Sequence, residues 1–385
     1  MKPSDFTENK PGKVIEVENG CHAFVPDRLP PSLDINWMLA EKNSKADIAL
    51  GELAGVARIL PNPHLLINPF IQREAILSSR IEGTQSTLSE LLLFEASGKV
   101  DRERSDVREV ANYVKALKYG LKRSKDLPMS LRLIKELHQR LMEDVRGEEL
   151  AAGEFRRLQN WIGPPGRTKE EATFVPPPVP EMEKAVYELE IYMHKKPSLP
   201  PLVRLALIHY QFEAIHPFFD GNGRVGRLLI TLLLCMEDLL PQPLLYLSAY
   251  FEKHRRDYYD LLLNVSLHGE WAEWISFFLV GVTEQAKDAI KRSKLLLNLW
   301  QDYRTKIQSS RSSAQMLTII DLLFISPVIT IRWIVKMAKV TPVTAQNNIE
   351  KLIGWGILRE VTGKKRNRLY VAEKILEIIE KEKLD

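Results

Sequence analysis

Two helical patterns of the chain meet at residues 216–227, which read HPFFDGNGRVGR. Pro217 disfavours a right-handed helical conformation for the preceding residue, so the upstream helix should end at His216. The two glycines that follow allow positive φ and close approach of the backbone, and the next helix should open near Asn222 or Gly223. Because a helix begins directly after this turn, its free N–H groups and its dipole favour an anion there.

The side chains of this loop suit a polyphosphate. Asp220 can hold a Mg²⁺ ion that keeps most of its waters and takes other oxygens from substrate phosphates. Arg224 and Arg227 share one face of the first helical turn, so both can contact phosphate oxygens. Asn222 can orient the loop and a ligand, and His216 can take a proton near neutral pH. The loop is therefore a candidate nucleotide site with a base, and the alternative is a turn with a surface ion pair.

Length and composition predict a soluble protein of two or three domains. The chain has 385 residues, of which 45% are hydrophobic and 27% charged, as in ordinary globular proteins. Cys21 and Cys235 lie far apart, which supports neither a disulfide framework nor a cysteine zinc site. Residues 1–30 lack the apolar segment of a signal peptide, and the apolar runs are shorter than a membrane-spanning helix. We expect a cytoplasmic protein.

The hydrophobic periodicity predicts a mainly α-helical fold. Residues 1–34 are instead rich in proline and turn formers. Residues 153–182 alternate, contain Gly-Pro-Pro-Gly and end in a proline run, which predicts a β-hairpin flap with a stiff extended exit. After a first helix from about residue 35, the predicted helices cover residues 67–82, 84–96, 105–123, 130–145, 181–196, 201–215, 223–239, 251–267 and 270–306. We divide the chain into an N-terminal helical region (1–100), a central domain (101–308) and a C-terminal domain (309–385).

The C-terminal domain has the sequence pattern of a winged helix-turn-helix. Two helices are predicted at 312–325 and 329–339, and a third runs from Thr341 to about Trp355. Two strand-like runs then flank the segment GKKRNR. This domain carries 13 Lys and Arg against 8 Asp and Glu, a local charge of +5, so any nucleic-acid surface should lie here.

The third helix of this domain offers polar side chains that can touch base edges. They are Thr344, Gln346, Asn347 and Asn348. The cations of GKKRNR can contact phosphates. DNA is one candidate partner, and a protein-docking or dimerisation role for the same shape is the other.

The loop at 216–227 resembles the signature of the Fic family, HPFx[D/E]GNGRxxR, at every defined position. The related Doc branch replaces the central glycines, which this chain retains. The resemblance extends over about residues 30–290. It implies a protein adenylyltransferase, which transfers AMP from ATP to a Ser, Thr or Tyr hydroxyl of a target protein. In that reaction His216 would deprotonate the hydroxyl and Asp220 would hold Mg²⁺. The phosphates would be bound by Gly221, Asn222, Gly223, Arg224 and Arg227.

The resemblance also implies roles for the flap and for a tyrosine pair. Residues 153–156 reproduce a family GxFR lead-in, and the flap would pair with target backbone. Tyr258 and Tyr259 match a pair that lines the adenine pocket, and at most one of them can stack on the base. Ser266 stands where some relatives have an asparagine. The flap residues next to the nucleotide would be Asn160, Trp161, Ile162 and Gly163. The alternatives are an ordinary edge strand and two core tyrosines.

A second motif of the same family lies upstream. Ser78, Glu82 and Gly83 match the inhibitory pattern [S/T]xxxE[G/N], with the first two on one helical face. The resemblance implies that Glu82 pairs with Arg227 and occupies the guanidinium that should receive the γ-phosphate. The alternative is an exposed glutamate at a helix end.

Two other functions fit the same motifs. One is a DNA-binding transcriptional regulator whose Fic domain senses nucleotide without transferring it. The other is a Fic enzyme that uses a different phosphate-linked donor. The expected partners are ATP and a target protein docked at the flap (153–180), and a homodimer is expected by resemblance.

Overall fold

The computed structural model describes residues 2–17, 21–34, 36–59, 64–97, 105–145, 151–163, 171–196, 198–309, 314–363 and 368–381. As predicted, these residues are mainly helical. The helices of the first two regions are α1 (Trp37–Ile59), α2 (His64–Ile81), α3 (Leu88–Ser97), α4 (Ser105–Arg123), α5 (Leu131–Leu141), α6 (Val179–His194), α7 (Pro201–Ile215), α8 (Asn222–Met236), α9 (Ser248–Lys253), α10 (Arg255–His268) and α11 (Trp271–Ser309). One predicted helix is divided, because the backbone leaves helical geometry at His254 between α9 and α10.

Helix α7 lies at the centre of the molecule. It is apolar around most of its circumference, which is typical of a helix that is buried on all sides. Its residues are almost all buried, and it packs against α6, α8 and α11. The loop that follows α7 therefore starts from the best-packed part of the protein.

The N-terminal region contains a β-hairpin that the sequence analysis did not predict. Strands β1 (Gly12–Glu16) and β2 (His22–Pro26) pair antiparallel, with Val14 opposite Phe24. Phe24 is fully buried and stacks on Phe6 at 5.7 Å between ring centroids. Short strands of this kind are hard to recognise within a proline-rich segment.

The predicted flap is only partly a hairpin in the described residues. One antiparallel bridge joins Ile162 to Phe174, and no longer ladder is present there. Residues 164–170, which include the predicted Gly-Pro-Pro-Gly turn, lie outside the described residues. The proline run leads directly into α6, whose N-cap is Pro178.

The C-terminal region forms a small unit of helices and one sheet. Its elements are α12 (Ala314–Ile325), β3 (Val328–Thr330), α13 (Ile331–Ala338), α14 (Pro342–Gly354), β4 (Arg359–Glu360), β5 (Leu369–Val371) and α15 (Glu373–Glu380). The strands pair antiparallel in the order β3-β5-β4. The two residues of β4 and the strand β5 flank GKKRNR as predicted, whereas β3 and α15 were missed. The cations at 364–366 lie outside the described residues.

The C-terminal unit packs on the N-terminal helices. Helix α12 lies against α2, β3 against α3, and α15 against both α2 and α11. The predicted linker at 310–313 lies outside the described residues. Within those that are described, no helix is both long and apolar enough to cross a membrane.

Candidate functional site

The loop between α7 and α8 has two residues in the left-handed region. His216 follows α7 with φ 50° and ψ 60°, and Gly221 precedes α8 with φ 77°. Glycine adopts this conformation freely, whereas another residue held there costs about 1 kcal/mol or more. The surrounding structure therefore holds the histidine in a strained backbone conformation, which is common at functional sites.

The imidazole of His216 is oriented by the backbone. Its Nδ1 lies 3.3 Å from the carbonyl oxygen of Glu213. Because a carbonyl oxygen can only accept, Nδ1 carries the proton and Nε2 keeps its lone pair. Burial lowers the pKa of His216 to about 4, so the ring is neutral at pH 7. This arrangement suits a group that accepts a proton.

Asparagine side chains hold the loop in shape. Asn222 accepts a hydrogen bond from the N–H of Phe218 at 2.8 Å and donates one to its carbonyl at 2.9 Å. One acceptor and one donor of this amide are thus used within the loop, and the contact of Asn222 with a nucleotide stays a prediction. Asn160 donates to the same carbonyl at 3.0 Å, but its buried Oδ1 has no hydrogen-bond partner among the described residues. Asn160 thus lies beside the loop with one free acceptor.

The guanidinium of Arg224 is buried, and nearby carboxylates partly neutralise its charge. Its Nη1 lies 3.0 Å from Oε2 of Glu109 on α4, and Thr84 donates to the same carboxylate at 3.2 Å. Its Nη2 lies 3.7 Å from Oδ1 of Asp220. Sequence reasoning missed Glu109, because nothing in α4 identifies a partner that is distant in the chain.

Ser78 and Glu82, at the two ends of the inhibitory motif, both bond to Arg227. Nε of Arg227 donates to Oγ of Ser78 at 2.8 Å, and Nη2 donates to the Ser78 carbonyl at 3.0 Å. The same Nη2 lies 2.6 Å from Oε1 of Glu82. Arg227 is buried, whereas the Glu82 side chain is 33% exposed. Gly83 has φ 98° just after α2, as the motif predicted.

The carboxylate of Glu82 lies at the start of α8. A Cβ built on Gly223 would fall 2.3 Å from Oε1 of Glu82 and 2.9 Å from Nη1 of Arg227. Burial disfavours the charge on Glu82, but Arg227 outweighs burial and lowers the pKa of this carboxyl below its ordinary value. A charged carboxylate therefore occupies the position where the helix N-terminus favours an anion.

The flap lead-in is tied to the loop by Arg156. Its backbone N–H donates to the Pro217 carbonyl at 2.9 Å, and its Nε donates to the His216 carbonyl at 3.0 Å. The guanidinium also donates to the Pro177 carbonyl. Burial lowers the pKa of Arg156 to about 10, which leaves it charged at pH 7. The other predicted flap residues lie nearer the surface. Trp161 is 44% exposed, Ile162 is half-buried and Gly163 is exposed.

The tyrosine pair is divided between the core and the surface. Tyr258 is 1% exposed and its hydroxyl lies 2.9 Å from Nε2 of His209. The ring packs against Phe251 and Trp274, as a core tyrosine does. Tyr259 is 40% exposed and donates to the Ile81 carbonyl at 3.4 Å. Ser266 bonds to Tyr210 at 2.8 Å inside the core.

Asp220 presents the exposed carboxylate of the loop. Its side chain is 51% exposed, and Oδ1 accepts the N–H of Gly221 at 2.6 Å. Among the described residues there is no group of three or more His, Cys, Asp or Glu that could hold a metal ion. One carboxylate with room for phosphate and water nevertheless fits Mg²⁺, which is seldom bound by protein ligands alone.

His138 on α5 is a further residue of the site that sequence reasoning missed. It contacts the Asp220 carbonyl and the backbone of Gly153 through its two ring nitrogens. The signal was present in the sequence, because His138 lies on the buried face of α5 with Ile134, Leu137 and Leu141. A single polar residue on an apolar face usually has a specific buried partner.

Sequence comparison finds the same family over the region that forms this site. The family model described as Fic/DOC family N-terminal matches residues 40–122, and the Fic/DOC family model matches residues 128–234. The protein adenylyltransferase Fic of Drosophila grimshawi is 30% identical over 213 residues, which are 54% of this chain and 40% of that protein. Its namesake in Aedes aegypti is 30% identical over 215 residues, with 54% and 39% covered. The chain thus spans about two fifths of the length of these curated relatives.

Solved structures share the fold. A Fic family protein from Desulfovibrio desulfuricans G20 superposes with a TM-score of 0.57 and 18% identity, over 89% of this chain and 98% of that one. A segment of Fic-1 from C. elegans (aa134–508) superposes with a TM-score of 0.52 and 20% identity, over 67% and 74% of the two chains. The mainly α-helical fold that the hydrophobic periodicity predicts is therefore confirmed.

Proposed function

The chain belongs to the Fic/DOC family, and on this premise we propose that it is a protein adenylyltransferase, which transfers AMP from ATP to a hydroxyl of a target protein. One observation carries the proposal: the neutral imidazole of His216 stands beside a helix N-terminus that holds the buried guanidinium of Arg227. A base and an anion site are thereby joined in one loop.

His216 is the general base of the proposed reaction. Its Nε2 takes the proton of a Ser, Thr or Tyr hydroxyl, and the oxygen forms a bond to the α-phosphorus of ATP. The bond from that phosphorus to the β-phosphate oxygen breaks, and pyrophosphate leaves. The hydrogen bond from Nδ1 to Glu213 keeps the ring in the required tautomer and supports the positive charge that develops on it.

The start of α8 holds the phosphates. The backbone N–H groups of the first turn of α8, around Gly223, would face them, and Arg224 and Arg227 would neutralise their charge. Asp220 would hold Mg²⁺, which when bound neutralises further phosphate charge. Positioning and fixed charges then account for most of the rate.

The pair Glu82–Arg227 inhibits this reaction in the resting protein. The carboxylate of Glu82 uses the guanidinium of Arg227 and lies at the helix N-terminus beside Gly223. Both positions are needed by a phosphate. ATP therefore binds weakly or in a pose that does not react until Glu82 moves away.

The adenine would lie beside Tyr259 and the flap. Tyr259 is the exposed member of its pair, and its hydroxyl contacts the carbonyl of Ile81, next to Glu82. On the flap, Asn160 offers one free acceptor and Trp161 an exposed indole. The target segment would add to the flap backbone as an extra strand.

Removing Glu82 tests both the activity and its inhibition. We expect Glu82→Gly to increase labelling of the protein and of lysate proteins by ATP that is radiolabelled at the α-phosphorus, at least tenfold over wild type, since the ion pair that blocks the site is lost. Glu8→Gly removes an exposed glutamate from an N-terminal turn and serves as the matched control. Equal labelling by wild type and Glu82→Gly would count against the inhibitory pair.

The same experiment separates the two competing functions. A nucleotide sensor would bind ATP more tightly in Glu82→Gly without any label becoming covalent. An enzyme with another phosphate-linked donor would bind that donor and leave ATP unused. We favour ATP because the intact glycine loop and Arg227 suit a triphosphate.

The C-terminal unit is proposed to be a winged helix-turn-helix domain, with α13 and α14 as the helical pair and β4 and β5 as the wing. Of the four polar residues on α14, Thr344 is bonded to Thr341, Gln346 to Glu350, and Asn348 is buried. Asn347 remains exposed. DNA binding is tested by a gel shift of the full chain whose affinity falls with rising salt.

We propose a cytoplasmic location and a homodimer. Cys21 and Cys235 are both free thiols, which suits a reducing cytoplasm. A homodimer would be detected as a doubled molar mass by light scattering.

A further inference from the structure

His138 of α5 touches both segments that form the proposed active site. Its Nε2 lies 3.0 Å from the carbonyl oxygen of Asp220, and its Nδ1 lies 2.9 Å from the backbone nitrogen of Gly153. The ring stacks on Phe218, with centroids 3.8 Å apart and planes inclined by 5°. One buried imidazole thus contacts the first residue of the flap lead-in and two residues of the catalytic loop.

The partners of His138 fix its tautomer. The N–H of Gly153 donates, so Nδ1 carries no proton, and the carbonyl of Asp220 accepts, so Nε2 carries one. His138 is 3% exposed, and burial lowers its pKa to about 4. Among charged side chains, Arg224 also lowers this pKa and Asp220 raises it. Protonation of Nδ1 would set two N–H groups against each other, so this geometry requires the neutral ring.

The two backbone groups that bond to His138 belong to residues with a role in the proposed reaction. The Asp220 carbonyl belongs to the residue whose half-exposed carboxylate would take Mg²⁺. Gly153 has φ 84°, and a Cβ there would lie 3.0 Å from Cβ of Gln139 on α5, so the flap starts in close contact with this helix. Arg156 already ties the flap to His216 and Pro217. His138 adds a second tie, at the other end of the loop.

We infer that His138 is a positioning residue for AMP transfer, which sets the metal-binding carboxylate of the loop and the target-binding flap in fixed places relative to each other. This inference rests on the proposed function for the roles of Asp220 and the flap. His138 does not touch substrate. It acts through one hydrogen bond to each segment and through its contact with Phe218.

Two conservative variants separate the hydrogen bonds. His138→Asn places an amide oxygen near Nδ1 and keeps an acceptor for Gly153, but it reaches no donor to Asp220. His138→Gln places an amide nitrogen near Nε2 and keeps the donor for Asp220, but it loses the acceptor for Gly153. Both variants lose the stacked ring, so each is the control for the other.

The variants are compared in the Glu82→Gly protein with two readouts. The first is the affinity for Mg²⁺ and ATP by calorimetry, and the second is hydrogen exchange of the Gly153 amide. We expect His138→Asn to bind Mg²⁺ and ATP roughly 3- to 10-fold more weakly while Gly153 stays protected. We expect His138→Gln to bind nearly as the parent while Gly153 exchanges faster. Identical results for the two variants would reduce His138 to a packing residue and overturn the inference.

A third measurement uses the wild-type protein and does not depend on enzymatic activity. In the wild-type protein, ¹⁵N signals of the His138 ring should show an unprotonated Nδ1 and a protonated Nε2. The opposite tautomer overturns the inference even if the variants do not fold. If Glu82→Gly with His138 intact binds no ATP, the proposed function fails, while the exchange and ¹⁵N results still decide whether His138 holds both segments.

Discussion

At the scale of single residues, the site depends on which nitrogen of a histidine carries the proton. His216 is half-buried and His138 is buried. Both rings are neutral, yet their tautomers are opposite, because the first donates from Nδ1 and the second accepts there. The sequence identifies His216 through the loop motif. It cannot give the tautomer, which depends on a carbonyl that only the folded backbone brings into reach.

The pH dependence of transfer follows from the burial of His216. Because burial lowers the pKa of His216 to about 4, the neutral base is present above that pH and is lost as the pH falls through it. We expect kcat/KM of the Glu82→Gly protein to stay level from about pH 8 to about pH 5 and to fall below it. Initial rates across this range give the profile. A midpoint near the ordinary histidine value of about 6.5 would contradict the assigned base.

At the scale of elements, α7 and α8 were the most predictable part of the fold. Pro217 and the glycines mark where one helix ends and the next begins, and both boundaries are observed within a residue of the prediction. The partners of α8 were less predictable. Glu109 bonds to Arg224 from α4, and His138 bonds to the loop before α8 from α5; neither was predicted. Tyr258, one of the two tyrosines proposed for the adenine pocket, lies in the core.

Close packing of α7 on α8 makes a prediction for Gly226. A Cβ on Gly226 would lie 2.1 Å from Oε1 of Glu213, a buried carboxyl whose pKa burial raises to about 8. We expect Gly226→Ala to lower the free energy of unfolding by about 1–3 kcal/mol, since the neutral carboxyl has to move. Urea denaturation measures the change.

The matched control lies on α1. A Cβ on Gly55 would meet nothing within 4 Å, so Gly55→Ala should raise stability by about 0.5–1 kcal/mol through helix propensity alone. If both substitutions shift the midpoint alike, the contact between α7 and α8 is looser than the structure indicates.

At the scale of the whole molecule, the C-terminal unit is held by a buried arginine. Arg292 of α11 is 1% exposed and donates to the carbonyls of Ile379 at 3.2 Å and Lys381 at 2.7 Å, at the end of α15. It also pairs with Asp288, which lies 3.4 Å from Arg73 on the inhibitory helix α2. The sequence predicted α11, but it predicted neither α15 nor the contact between the two helices.

Arg292 gives a test of this docking. Arg292→Met keeps apolar volume but leaves buried carbonyls without a donor, so we expect a loss of about 3 kcal/mol or more in stability. Hydrogen exchange should rise first in α15. Arg256→Met, at a side chain that is 92% exposed, should change stability by less than about 0.5 kcal/mol. A similar small effect at Arg292 would show that the unit is held by its apolar contacts alone.

The central claim is that the loop at 216–227 transfers AMP with His216 as its base. Intact-mass spectrometry of the Glu82→Gly protein after incubation with Mg²⁺ and ATP tests it most directly, beside the double variant Glu82→Gly, His216→Ala. We expect AMP to be added to a Ser, Thr or Tyr of the single variant, and the rate to be about 10²- to 10⁴-fold lower in the double variant. Equal addition in both proteins, or none in the single variant and none on added lysate proteins, would contradict it.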